Sequence, residues 1–285
     1  MGKEFLVCID SDGCVFDTME IKHKECFCPS YINYFGLQAV SKYARDAWDF
    51  ANLYSKWRGV NRFPVLLKSL EVLSDRSEVL ERGFVTPELP SLRAYIAAGH
   101  PMNNAGLEAY LREHPQDEEM QNLLHWSYDV NKRIAELVRG VPPFPHVREN
   151  LQRLFPYADI VIVSATQTEA VRREWDEHGL LSLVARVCGQ ESGSKKEIIA
   201  SLKDQYAPGH VLMIGDAPGD RDAARANGTL FYPICPDQEA TSWARFGSVM
   251  DAFLKGTYQG EMEESCIRHF ETLLPAQPDW RRGSL

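Results

Sequence analysis

Five apolar residues, Phe5 to Ile9, run without interruption into Asp10. A short run bounded by an acid and a glycine turn predicts a strand buried on both faces, as in a parallel sheet. From Met19 to Arg139 the period changes. Met120, Leu123, Leu124, Trp126, Val130, Ile134 and Leu137 recur at intervals of three and four, which is the spacing of one helix face. Pro and Gly punctuate the same stretch at Gly59, Pro64, Pro87, Pro90, Gly99 and Pro101. The pattern predicts several helices and few strands.

Residues 140–145, Gly-Val-Pro-Pro-Phe-Pro, break this region, and the pattern then alternates. Strands are predicted over Asp159–Val163, Val184–Cys188, Val211–Ile214 and Leu230–Ile234. Helices are predicted over His146–Leu154, Gln167–His178 (stopped by Gly179), Ser194–Tyr206 with Ser194 as N-cap, and Asp220–Ala226 closed by Asn227-Gly228. Strand–helix alternation implies an α/β fold, a Rossmann-like doubly wound parallel sheet. Its first strand is separated from the rest by an all-helical insertion. The boundaries read from the sequence are a core of 1–18 plus 146–285 and a helical cap of 19–145. The stretch from about Gln238 onward is amphipathic in part and packs either on the sheet or on a second subunit. Oligomeric state is open. Ligands of such sheets bind beyond the carboxyl ends of the strands, so Asp10, Ser164 and Asp216 should lie side by side.

Composition narrows the function. The chain has 285 residues, 44% hydrophobic and 25% charged, proportions of a folded globular protein. Its formal net charge is −9. That acidity disfavours nucleic acid as a partner, and an anionic substrate would need a metal ion or local cations. No apolar run approaches the length of a membrane span, and the opening MGKEFLVCID is too acidic for a signal peptide. Gly2 is not followed by Ser or Thr at position 6, so no myristoylation signal is expected. The seven cysteines have no framework spacing. Cys26 and Cys28 form a Cys-Phe-Cys pair without a second pair at zinc-site spacing. A reducing, cytoplasmic location is expected.

Four clusters carry candidate chemistry. In Asp10-Ser-Asp12-Gly13 two carboxylates follow a buried strand; an Asp-Gly turn accounts for Asp12 and Gly13 but not for Asp10, an acid that is costly to bury unpartnered. Asp216 and Asp220 end and follow another apolar strand. Two acidic strand ends facing one crevice repel each other, and an oxygen-liganded divalent cation such as Mg²⁺ would neutralise them; Asp220 also suits the first turn of a helix. Ser164 ends a third strand, where its hydroxyl and the following Ala165 amide could bind phosphate. Lys195, at a helix start where the dipole disfavours cations, asks for an anionic partner, with the adjacent Lys196 as an alternative. In the helical region, Arg58, Asn61 and Arg62 beside Trp57 and Phe63 suit either a loop over a polar or anionic ligand or a solvated turn. Trp126 and Tyr128 read as core packing.

The order Asp-x-Asp, Ser, Lys, Gly-Asp-x-x-x-Asp, each on its own element, resembles the haloacid dehalogenase-like hydrolase superfamily. The closest resemblance is to the helical-cap branch that includes β-phosphoglucomutase and small-molecule phosphatases. The resemblance implies that Asp10 is the nucleophile that becomes an aspartyl-phosphate and that Asp12 is the general acid/base, its backbone carbonyl touching Mg²⁺. It implies that Ser164 and Lys195 bind phosphate, that Asp216 binds the metal and that Asp220 orders the metal shell. A Pro after the lysine, common in the phosphoglucomutase branch, is missing. The implied activity is Mg²⁺-dependent hydrolysis of a small soluble phosphate monoester, with a phosphomutase as the alternative.

Overall fold

The structure, a computed structural model, describes residues 2–282. The chain divides into two compact units: one of Met1–Met19 with Gly140–Leu274, and one of Glu20–Arg139 with the segment from Pro275. The first unit contains a parallel sheet of β1 (Phe5–Ile9), β2 (Ala158–Val163), β3 (Arg186–Cys188), β4 (Val211–Gly215) and β5 (Leu230–Pro233), in the order β3-β2-β1-β4-β5. This is the predicted α/β class.

Side-chain alternation builds a core on each face of the sheet. Phe5, Val7 and Ile9 face one core, with Trp175 from the helix Thr168–Glu177 and Trp243, Phe246 and Phe253 from the helix Glu239–Leu254. Leu6 and Cys8 face the other, with Ile198 and Ile199 from the helix Lys195–Lys203 and Ile267 and Phe270 from the helix Glu261–Leu273. Helices therefore cover both faces, and the helices Glu239–Leu254 and Glu261–Leu273 pack on the core of this unit. The free edge of β5 is blunted by side chains. Glu263 accepts from the Phe231 amide at 2.8 Å and the Tyr258 hydroxyl donates to the Phe231 carbonyl at 2.8 Å, which leaves fewer groups open to another strand.

The strand order fixes where a ligand can lie. From β1 the chain steps outward to β2 and β3, then returns to place β4 and β5 on the other side of β1. The order reverses between β1 and β4, and the crevice beyond their carboxyl ends is the usual binding position of such sheets. Ile9 pairs in register with Ile162 on one side and Ile214 on the other. Asp10, Ser164 and Asp216 thus leave three adjacent strands at nearly one level.

The second unit is helical, with its longest helices at Ser41–Asn52, Arg62–Ser74 and Glu118–Leu137. Its core is aromatic: Phe27, Tyr31, Phe35, Trp48, Phe63 and Trp126 pack together. Trp126 is fully buried, as read from the sequence, but Tyr128 is 44% exposed; one helical step past the buried stripe turns it outward.

Three sequence-based boundaries need correction. The strand predicted from Val184 begins at Arg186, because Leu181–Leu183 forms a 3₁₀ turn first. Residues 140–145 belong with the α/β unit, where Phe16 bridges to Pro143. The segment from Pro275, assigned to the core by sequence, groups with the helices. There the Pro275 carbonyl accepts from the Lys56 amide at 3.3 Å, and Trp280 packs edge-on to Phe50.

Candidate active site

The strand β1 stops at Ile9, and the next residues fold into a tight turn. The Ser11 carbonyl accepts amides of Val15 and Phe16 at 2.9 and 3.2 Å, and the Gly13 amide donates to the Phe16 carbonyl at 2.8 Å. Gly13 adopts φ +71°, a left-handed conformation that glycine takes without the Cβ penalty. The turn sets Asp10 and Asp12 at the carboxyl end of the sheet.

Asp10 is buried, and both of its carboxylate oxygens are held. Oδ1 accepts from the Ser11 amide at 2.8 Å and Oδ2 from Lys195 Nζ at 2.6 Å. Lys195 reaches Asp220 Oδ1 at 2.5 Å as well, so one ammonium joins two carboxylates from different loops. Lys196 is exposed, and among the described residues the ion pairs to Asp10 and Asp220 are made by Lys195. The helix start places Lys195, since Ser194 and Glu197 form a reciprocal capping box. Asp220 Oδ2 accepts from the Ala217 amide at 3.1 Å, so Asp220 satisfies a helix start and the lysine together.

Oxygens of Asp10, Asp216 and Asp220 lie within 4.8 Å of one another, and all three residues are buried. Burial pushes the Asp10 carboxyl well above its ordinary value; Lys195 opposes the rise, and Asp220 and Asp216 add to it. Burial alone would depress the Lys195 ammonium, yet Asp10 and Asp220 outweigh it and raise its pKa. Lys195 therefore stays charged amid three acids. An all-oxygen cluster with excess negative charge suits a hard divalent cation such as Mg²⁺, so the donor set fits the expected ion.

Asp12 stands apart from this cluster. Thr18 Oγ1 donates to its Oδ1 at 2.5 Å and Thr166 Oγ1 to its Oδ2 at 2.8 Å. Neither threonine was singled out from the sequence. Thr18 lies nearby along the chain, but Thr166 comes from the loop after β2, and only the fold brings it to Asp12. Ser164 is buried at the end of β2, its hydroxyl accepting from the Thr166 amide at 3.1 Å. The Ala165 amide finds no acceptor among the described residues.

A close approach supports the acid cluster. A Cβ built on Gly215 would lie 2.3 Å from Asp220 Oδ2 and 2.5 Å from Asp220 Cβ. Gly215→Ala is therefore expected to force Asp220 off its position against the Ala217 amide and Lys195. Overpacking of this kind costs about 1–3 kcal/mol, a fall of several degrees in melting temperature. A thermal melt of the variant checks this, and an unchanged midpoint would show that Asp220 moves freely.

In the helical unit the three candidate side chains separate. Arg58 is buried and donates to the Leu53 carbonyl at 2.9 Å. Asn61 caps the helix Arg62–Ser74, accepting from the Phe63 amide at 3.0 Å. Both side chains take part in local structure. Arg62 differs: it stacks over Phe27 at 5.0 Å, and its Nη1 donates to Ser127 Oγ at 3.0 Å and Asn131 Oδ1 at 2.9 Å. These partners are neutral, and burial lowers its pKa to about 10.

A sequence model of the haloacid dehalogenase-like hydrolases matches residues 95–233. That span holds Ser164, Lys195, Asp216 and Asp220 but stops short of Asp10 and Asp12. The solved structure of a predicted phosphoglycolate phosphatase from Haemophilus somnus 129PT superposes over 87% of this chain and 99% of its own, with a TM-score of 0.50 and 13% identity. Just under half of the chain thus matches this family's sequence model, and the fold is shared with the Haemophilus structure. A haloacid dehalogenase superfamily hydrolase from Geobacter sulfurreducens PCA aligns at 17% identity over 81% of this chain and 88% of its own, with a TM-score of 0.40. A haloacid dehalogenase-like family hydrolase from Streptococcus pneumoniae aligns at 15% identity over 84% and 90%, also with a TM-score of 0.40. No curated protein matches the sequence. The acids at the ends of β1 and β4 and the lysine that opens the helix Lys195–Lys203 stand together.

Proposed function

We propose that the chain is a Mg²⁺-dependent phosphatase that hydrolyses a small soluble phosphate monoester through an aspartyl-phosphate on Asp10. The observation that carries this reading is Asp10 held by Lys195 within a cluster of three buried acids, with a second carboxyl, Asp12, two residues on. Asp10, Asp216 and the Asp12 backbone carbonyl would hold Mg²⁺, with Asp220 ordering that shell. When bound, the ion supplies positive charge against the phosphoryl oxygens and the carboxylates.

The remaining chemistry belongs to the chain. Lys195, the Ser164 hydroxyl and the Ala165 amide bind the phosphoryl oxygens and orient the ester for in-line attack. An Asp10 carboxylate oxygen attacks phosphorus as the bond to the leaving oxygen breaks, and protonated Asp12 gives its proton to that oxygen. Asp12, now a carboxylate, takes a proton from water. The water oxygen then attacks phosphorus, the Asp10–phosphorus bond breaks, and inorganic phosphate leaves. Thr18 and Thr166 keep the Asp12 carboxyl in one orientation through both halves. The partner is a phosphorylated metabolite, and the seven free thiols fit a reducing, cytoplasmic setting. Among the described residues no helix is long and apolar enough to cross a membrane.

Hydrolysis of p-nitrophenyl phosphate with Mg²⁺, and with a chelator instead, tests the reading. Turnover that needs the ion supports it; turnover indifferent to the chelator, or none with Mg²⁺, sinks it. Sugar phosphates, nucleotides and amino-acid phosphates then define the substrate, and a sugar 1-phosphate offered with its bisphosphate detects a mutase. Arg62, with no ion pair among the described residues, is the candidate in the helical unit for contact with a polar or anionic part of a ligand. Arg62→Ala is expected to raise KM for the best metabolite about tenfold, the worth of one charge-assisted hydrogen bond, and to leave p-nitrophenyl phosphate unaffected. Equal loss on both substrates would assign Arg62 to structure alone.

A further inference from the structure

Every polar group of Ser11 is committed. Its amide donates to Asp10 Oδ1 at 2.8 Å, and its carbonyl accepts from Val15 and Phe16. Its hydroxyl accepts from Trp175 Nε1 at 3.0 Å and donates to Glu174 Oε2 at 3.2 Å. Ser11 and Trp175 are wholly buried, and the Trp175 ring meets Phe16 edge-on at 5.7 Å. The helix carrying Glu174 and Trp175, Thr168–Glu177, begins just beyond the loop that holds Ser164 and Thr166. The element that follows one active-site loop thus anchors the other.

This arrangement has a consequence for Asp10. Its carboxylate plane is fixed by two donors, Lys195 at Oδ2 and the Ser11 amide at Oδ1. The Ser11 amide points where it does because the residue is tied at its carbonyl by the turn and at its hydroxyl by Trp175 and Glu174. We infer that Ser11, clamped by Trp175 and Glu174, is a positioning residue: it sets the orientation of the Asp10 carboxylate and, through the turn closed on its carbonyl, the place of Asp12. Its effect on turnover rests on the phosphatase reading; its effect on the loop does not. The competing account is a hydroxyl that merely satisfies a buried indole.

Three variants separate the two: Ser11→Ala, Trp175→Phe, and the double. Each is measured for p-nitrophenyl phosphate kinetics with Mg²⁺, for thermal midpoint, and for amide hydrogen exchange at residues 11, 15 and 16. A positioning role predicts kcat lowered about 10–100-fold with KM changed less than about threefold, because misplacing an attacking group costs rate rather than ground-state binding. It also predicts exchange at those amides faster by about tenfold or more, with the rest of the sheet unchanged. The double variant leaves no buried indole N–H without an acceptor, so its melting temperature should recover relative to Ser11→Ala while kcat stays low. If kcat returns together with the melting temperature, or if exchange at these amides is unaltered in Trp175→Phe, the inference fails. Should the wild-type protein show no Mg²⁺-dependent turnover, the phosphatase reading falls, and the exchange result alone decides the role of Ser11.

Discussion

Asp10→Asn is expected to abolish phosphate-ester turnover, lowering kcat by about 10³-fold or more, as removal of an attacking group does, while the protein remains folded. Asn matches the shape of Asp and accepts the Ser11 amide in the same way, but its amide cannot form the phosphoryl bond. Its neutrality also suits the site. Burial and the neighbouring acids already push the Asp10 carboxyl up, so an uncharged side chain relieves repulsion and the melting temperature should hold or rise. Asp12→Asn should behave differently. Nitrophenolate leaves without a proton, so attack on the aryl ester survives and a phosphoryl-enzyme accumulates. Alkyl phosphates should lose about 10²–10⁴-fold, the worth of a proton transfer. Steady-state kinetics on both ester types, with mass spectrometry for a gain of one phosphoryl group, reads these outcomes. Wild-type activity in Asp10→Asn would exclude Asp10 as nucleophile.

The contrast between Asp10 and Arg58 explains how much the sequence disclosed. An acid at the end of an uninterrupted apolar strand is conspicuous because burial of a charge demands a reason, and three such strands with their trailing residues outlined both the sheet and the strand-end cluster. Parallel pairing and right-handed crossovers narrow the strand order without fixing it, and the order β3-β2-β1-β4-β5 is read only from the fold. Arg58 carried no comparable constraint: a cation beside Gly and aromatics reads alike whether it faces a ligand or, as found, the Leu53 carbonyl. Thr166 and Trp175 were illegible for another reason. Each acts on a residue more than a hundred positions away, on Asp12 and Ser11, and no local period records such a pairing. Gly215 is similar, since its need for a missing Cβ exists only once Asp220 folds back over the strand end. The segment from Pro275 misled because its apolar residues signal burial without saying against which unit.

Lys195→Met removes the cation between Asp10 and Asp220 while keeping a long side chain, and it should be the most damaging single change to the site. Breaking a buried pair from one side costs on the order of 3–5 kcal/mol, and the loss should depend on pH in a definite direction. Asp10 has a raised pKa in the folded protein even with Lys195 opposing the rise; without Lys195 it rises further. A carboxyl whose pKa is raised on folding favours the folded state below its ordinary range and withdraws that support as pH climbs through the raised value. The variant should therefore be least stable at neutral and alkaline pH and recover as the solution is acidified toward the ordinary carboxylate range, where Asp10 holds its proton. The Lys195 ammonium of the wild-type protein, raised above its ordinary value, supplies its stabilisation across that whole interval, so the wild-type curve should be flatter. Mg²⁺ offers a second comparison. Three acids without their lysine should bind the cation more tightly, and the stabilisation it gives grows with that affinity, so Mg²⁺ should raise the melting temperature of Lys195→Met more than that of the wild type. Thermal unfolding of both proteins from about pH 5 to about pH 8, with Mg²⁺ and with a chelator, measures each effect. Parallel pH curves, or equal shifts with Mg²⁺, would mean that Lys195 does not hold the acids together.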